Sequence, residues 1–109
     1  MAKTLPYRAR TASGDVFEIE FPLHADTVSP MRVSQLVTAI LDAIERDISI
    51  AGETSNGDVL QAVAMAAAVR SRMIHAPPAV TEKITRELLE AALQGTARAA
   101  HSAPTSGRA

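Results

Sequence analysis

The chain has 109 residues, a formal net charge of −1 and no cysteine. This length predicts one small domain, and the near-neutral charge gives no long-range attraction toward nucleic acid or an acidic membrane. The lack of cysteine excludes disulfides, thiolate chemistry and cysteine-ligated metal sites. With three aromatic residues but 21 alanines, the core is expected to consist of aliphatic side chains and alanine, which favours close packing between helices.

The amino-terminal sequence MAKTLPYRAR is charged and has no apolar segment of the kind found in secretory signal peptides. No apolar run approaches the roughly 20 residues that span a bilayer. We therefore expect a cytoplasmic protein with no membrane partner.

Residues 4–23 have the alternating pattern of a β-hairpin, most clearly in the segment VFEIEF at 16–21. A three-residue turn at 12–14 aligns the apolar faces of the two strands and places Gly14 at the left-handed position that such turns need. This register predicts four cross-strand pairs: Leu5 with Phe21, Tyr7 with Ile19, Ala9 with Phe17 and Arg8 with Glu18. An isolated hairpin is barely stable in water, so this one is expected to lie on a helix, and it could in addition pair with a second copy.

The first of three predicted helices spans about 30–48. Ser29 is a typical N-cap residue, and Pro30 is well suited to the first helical position. Apolar residues then recur at the i, i+3, i+4 and i+7 positions of one helix face. This stripe comprises Val33, Leu36, Val37, Ile40, Leu41, Ile44 and Ile48.

The second and third helices are predicted at about 57–75 and 79–94. Ser55 or Asn56 caps the start of the second helix, and Gly95 is expected to cap the end of the third. The segment 96–109 lacks periodicity and large apolar residues, so a disordered tail is predicted there. The globular part is therefore expected to be one domain over 1–95.

The second helix has no polar face. Gln61 is the only polar residue between Val59 and Val69, and five alanines lie in the same segment. A helix that is apolar on all sides is normally buried. Because this short chain offers few elements to cover it, we expect the missing neighbours to come from a second copy.

No pattern in the chain indicates catalysis. His24, His75 and His101 have none of the helical spacings of a metal site, and the chain lacks the glycine-rich phosphate-binding motifs and the GxSxG nucleophile motif. We therefore predict no catalytic residue, no cofactor and no metal ligand, and we expect that the protein is not an enzyme.

These observations predict an α+β protein, ββααα, with a buried central helix and a fold completed by dimerisation. The expected function is that of a small, non-enzymatic, homo-oligomeric interaction or accessory protein, which binds itself and an unidentified protein partner. The candidate interface is the central helix: Ala62, Ala64, Met65, Ala66, Ala68 and Val69.

Three alternatives stay open. The first is a monomeric three-helix domain with a hairpin lid, which a central helix half exposed in a lone subunit would favour. The second is a small DNA-binding regulator that uses the second and third helices, although the acidic residues of the third helix make nucleic acid an unfavoured partner. Its candidate contacts are Arg70, Arg72, Lys83 and Arg86. The third is an enzyme or small-ligand binder with a pocket between subunits, near Tyr7 and His75.

Overall fold

The structure is a computed structural model that describes residues 3–103. Two strands precede three helices and a short third strand. The elements are β1 (Thr4–Arg10), β2 (Val16–Pro22), α1 (Pro30–Ala51), α2 (Asn56–Arg72), α3 (Pro78–Ala97) and β3 (Ala100–Ser102). An antiparallel hairpin followed by three helices is the predicted α+β class, which is thereby confirmed.

The hairpin has the predicted register. β1 and β2 are antiparallel, and all four expected pairs are present, including Tyr7 with Ile19 and Arg8 with Glu18. Gly14 has a φ of 93°, a left-handed conformation that side chains disfavour. The N–H of Thr11 donates to the carbonyl oxygen of Asp15 at 2.9 Å and closes the turn.

A third strand, which the sequence did not reveal, extends the sheet beyond the hairpin. β3 pairs antiparallel with the start of β2, and the strand order is β1-β2-β3. The predicted tail began at residue 96, whereas α3 continues through Ala97 and residues 100–102 form β3. The last part of the predicted tail, 104–109, lies outside the described residues.

The helix starts agree with the predicted caps, but the helix ends differ. α1 continues to Ala51 and ends before Gly52, whose φ is 105° and whose N–H donates to the carbonyl oxygen of Ile48 at 2.8 Å. α2 ends at Arg72, three residues before the predicted end, with Met73 as C-cap. α3 passes through Gly95, so the prediction that this glycine caps the helix was wrong.

Gly95 is needed for close approach rather than for a turn. A Cβ atom at this position would lie 3.2 Å from the carbonyl oxygen of Glu20 and 3.2 Å from side-chain atoms of Phe21 and Pro22. The missing side chain therefore lets α3 lie against β2. This requirement comes from tertiary packing, which the local sequence around Gly95 does not show.

The chain divides into two compact units. The first contains Met1–Pro30 and Leu88–Ala109, and the second is Met31–Glu87. α3 contributes residues to both units. The single domain that the length suggests stays a prediction.

The two units differ in how well they bury their apolar side chains. Leu5 and Ile19, in the first unit, are the buried large apolar residues of the described chain. In the second unit neither α1 nor α2 contains a buried residue. Within the described residues the single chain therefore leaves α2 exposed, and the burial of this helix by a second copy stays a prediction.

Candidate interaction site

A groove of about 730 Å³ lies between α1 and α2, inside the second unit. Its α1 wall consists mainly of Ile40, Ala43, Ile44 and Ile48. Its α2 wall consists mainly of Val59, Ala62, Val63, Ala66 and Ala67. The groove stays open between the apolar faces of α1 and α2.

The sequence explains why each helix presents this face. Ile40, Ile44 and Ile48 recur every four residues, which places them in one row along α1. On α2 the alanines at 62 and 66 have the same spacing, and their small side chains leave space for another element to approach. The groove is therefore lined by branched isoleucine side chains on the α1 side and by valines and smaller alanines on the α2 side.

Charged side chains line the groove near its ends. Asp47 and Asp58 flank the connection 52–55, and Arg70 lies 12 positions beyond Asp58 on α2. At 1.5 Å per residue, this separation is about 18 Å along the helix axis. Ser55 fixes the start of α2, because its hydroxyl oxygen accepts a hydrogen bond from the N–H of Asp58 at 3.2 Å. The groove is therefore acidic near the connection and basic toward the other end.

The structure divides the predicted interface residues between the groove and the rest of the α2 surface. Ala62 and Ala66 line the groove, whereas Ala64, Met65, Ala68 and Val69 do not. All six are exposed in the single chain, and Met65 and Val69 are each 57% exposed. α2 thus has accessible apolar surface on more than one side. Their role in an interface stays a prediction.

The candidate nucleic-acid contacts lie in different surroundings. Arg70 lines the groove, and Arg72 is the last residue of α2. On α3, Lys83 is exposed, and Arg86 pairs with Glu82 at 3.0 Å. Nothing in this arrangement adds support to DNA binding, which stays a prediction.

A polar cluster at the hairpin turn holds β3 in place. The Ser13 hydroxyl donates to Asp15 Oδ2 at 2.8 Å, and His101 Nε2 lies 3.1 Å from Asp15 Oδ1. The His101 ring also stacks on Phe17, with ring centroids 4.6 Å apart and planes 9° apart. The hydrogen bond from the Ser13 hydroxyl lowers the pKa of Asp15, and the hydrogen bond with His101 lowers it further.

This cluster does not have the geometry of a hydrolytic triad. In such a triad the histidine bonds to the serine and takes its proton, whereas here Asp15 lies between Ser13 and His101. The three side chains instead join β3 to the turn of the hairpin. Sequence reasoning missed this role because His101 lies in a segment without periodicity, 86 residues from Asp15.

The geometry adds no support for the other candidate sites. Tyr7 belongs to the first unit and His75 to the second, and a ligand site that includes both stays a prediction. Among residues 3–103, no group of three or more His, Asp or Glu side chains is arranged to hold a metal ion. No helix in that range combines the length and the hydropathy needed to cross a bilayer.

Comparisons of the chain with protein-family models, with curated proteins and with solved structures found no match.

Proposed function

We propose that the protein is a non-enzymatic, homodimeric interaction module, in which a second copy covers the apolar faces of α1 and α2. One observation supports this most strongly: large apolar side chains along both helices are exposed in the single chain. They include Met31 at 72%, Ile40 at 55%, Leu60 at 73%, Met65 at 57% and Val69 at 57%. Exposed apolar surface of this extent is typical of a protein–protein interface.

The free energy available from covering this surface is large enough to drive association. Complete burial of a Val, Leu, Ile or Met side chain is worth about 1.5–3 kcal/mol, so covering a half-exposed one stabilises by about 1 kcal/mol. About a dozen such side chains supply on the order of 10 kcal/mol per subunit. Two subunits together exceed the roughly 4–15 kcal/mol that association costs in lost translational and rotational freedom.

The monomeric alternative also predicts a half-exposed α2, which the single chain has. Exposed alanines alone would suit a monomer, since alanine is a good helix former on a surface. However, a three-helix domain also needs the large side chains of α2 packed on its own helices. Leu60, Met65 and Val69 are more than half exposed, so we favour self-association.

The lining of the groove suits packing rather than chemistry. Most of its side chains are aliphatic, and its charged residues lie near the ends. A two-fold dimer is the commonest arrangement of a small homo-oligomer, and the lack of cysteine suits a reducing compartment such as the cytoplasm. We propose a cytoplasmic accessory role, in which the dimer also binds an unidentified protein partner.

Light scattering during gel filtration at micromolar concentration tests the proposal. We expect a molar mass of about twice the 11.5 kDa of one chain, together with a dissociation that appears on dilution. A monomer that is stably folded and unfolds cooperatively at the same concentration would contradict self-association.

A further inference from the structure

We infer that α2 of a second copy fills the groove between α1 and α2, with the two α2 helices antiparallel. This inference rests on the proposed self-association and specifies its geometry. Each α2 would lie between α1 and α2 of the other subunit, so the two copies exchange equivalent contacts about a two-fold axis.

The different surfaces of the two helices fit these positions. α1 has one apolar stripe and a polar face, as expected of a helix at the outside of a bundle. α2 carries apolar side chains on several sides, so it can line one groove while it fills another. An apolar helix in a hydrophobic groove is a recurrent mode of recognition. The alanines at 62 and 66 permit the close approach that this mode needs.

Charge determines the direction. In an antiparallel pair of α2 helices, the acidic end of each groove meets the basic end of the partner helix. Asp58 of one copy then lies near the partner's Arg70, and the midpoint between positions 58 and 70 falls at residue 64. A parallel pair would bring Asp58 next to its own equivalent and Arg70 next to its own equivalent, which like charges disfavour.

The alternative of joining two hairpins edge to edge is less suitable. Lys3 bonds to Leu23 and Thr11 bonds to Asp15, and bonded pairs alternate along an antiparallel ladder. Even-numbered residues of β1 therefore direct their backbone groups away from β2, toward the free edge. Pro6 lies at this edge without an N–H group to donate, which is a common protection against edge pairing. On the other side of β2, β3 already pairs with Val16, Phe17 and Glu18.

The exposed apolar area of the second unit is of the size that a stable dimer needs. Thirteen large apolar side chains of this unit are 38–80% exposed, and together they offer on the order of 500 Å² of apolar surface. Of these, Ile40 and Val63 line the groove, and Leu60, Met65 and Val69 lie on the α2 that would enter the partner's groove. A standard interface buries about 800 Å² per partner, of which somewhat more than half is apolar. The thirteen are Met31, Leu36, Ile40, Leu41, Ile50, Leu60, Val63, Met65, Val69, Met73, Ile74, Val80 and Ile84.

Cysteine cross-linking tests the geometry, because the natural chain has no cysteine. Val63 lies on the groove wall and next to the expected two-fold axis, whereas its neighbour Ala64 lies outside the groove lining. A disulfide needs Cα atoms within about 7 Å. We therefore expect Val63→Cys to form a disulfide-linked dimer on mild oxidation. Ala64→Cys is the matched control and should stay uncross-linked. Circular dichroism should show that both variants are folded.

The outcomes separate this inference from the proposed function. Cross-linking at position 64 but not at 63 would overturn the groove and leave self-association intact. If neither variant cross-links while the mass stays that of a dimer, the groove is likewise overturned. A monomeric mass in the natural chain and both variants would overturn self-association itself.

Charge exchange tests the antiparallel direction. Arg70→Asp should raise the dissociation constant about tenfold, because both ends of the groove become acidic. Adding Asp58→Arg in the same chain should restore most of the affinity, since each position 58 then again meets an opposite charge at the partner's position 70. An Arg70→Asp variant that dimerises as tightly as the natural chain would overturn the antiparallel pairing, because a parallel pair already has like charges at both ends.

Discussion

In the sheet, Leu5 and Ile19 are each only 8% exposed, whereas neither α1 nor α2 contains a buried residue. The difference follows from how strands and helices satisfy their backbone hydrogen-bonding groups. Strands satisfy their backbone groups by pairing, which aligns the apolar residues of the hairpin on one face, and α3 lies against β2 at Gly95. Helices satisfy their backbone groups internally and leave the side-chain surface for another element to cover. In the described part of this protein, α1 and α2 leave much of that apolar surface exposed.

The largest effect is expected from a charge placed in the groove. Ala66→Glu would bury a carboxylate without a partner if a second copy covers α2, so we expect a loss of about 3 kcal/mol or more in dimer stability. Sedimentation equilibrium would measure it. Gln35→Glu adds the same charge to an exposed position on the polar side of α1 and is the control. Equal and negligible effects of both changes would show that the α2 surface is not covered.

A second substitution probes the better-buried unit. Gly95→Val would bring a side chain against the carbonyl oxygen of Glu20, 3.2 Å from the nearest Cβ position. Because that backbone atom is held in the sheet, we expect a destabilisation of about 2 kcal/mol in urea unfolding at fixed protein concentration. The exposed neighbour Gln94→Val is the control. An unchanged free energy of unfolding in the Gly95→Val protein would mean that α3 does not lie closely against β2.

A smaller effect is expected at the start of α2. Ser55→Ala removes the hydroxyl that accepts from the N–H of Asp58 and should cost about 1 kcal/mol. Ser55→Asn should retain most of the stability, since asparagine also caps helix starts well. If α2 forms only within the dimer, the loss of stability in Ser55→Ala should appear in the dissociation constant as well as in the unfolding midpoint. The stability that Ser55→Asn retains should appear in both quantities too.

The smallest effect concerns pH and β3. Hydrogen bonds from the Ser13 hydroxyl and with His101 lower the pKa of Asp15 from its ordinary value of 3.8. A carboxyl with a lowered folded pKa contributes stability above that ordinary value and loses it as pH falls through the folded value. We expect acid below about pH 3.8 to loosen β3 before the hairpin. Amide exchange at Ala100–Ser102 would report this loosening. In Asp15→Asn, β3 should exchange faster at neutral pH and respond less to acid.

These two regions also differ in how much the sequence predicts. The hairpin register follows from strand parity and one glycine turn, and the starts of α1 and α2 follow from Ser29 with Pro30 and from Ser55. All of these are local rules, and the structure agrees with each. Gly52 is also a local signal for the end of α1. The predicted end at Ile48 was too early because it followed the last residue of the apolar stripe.

The features that the sequence did not predict depend on distant contacts. β3 has three residues and too little pattern to identify, because its partner strand lies more than 80 residues earlier in the chain. Gly95 has the local appearance of a helix cap, and only the backbone of β2 explains its place inside α3. The groove combines a stripe of α1 with one side of α2. Since α2 is apolar all round, the sequence did not indicate which side would face α1.

The oxidation of Met65 measures the covering of α2 most directly. Met65 is 57% exposed in the single chain, and peroxide converts an accessible methionine to its sulfoxide, which mass spectrometry detects. If a second copy covers α2, Met65 in the native protein at micromolar concentration should oxidise several times more slowly than in the Ala66→Glu variant or in the urea-unfolded chain. Oxidation of native Met65 as fast as in the unfolded chain would contradict the covering of this helix by a second copy.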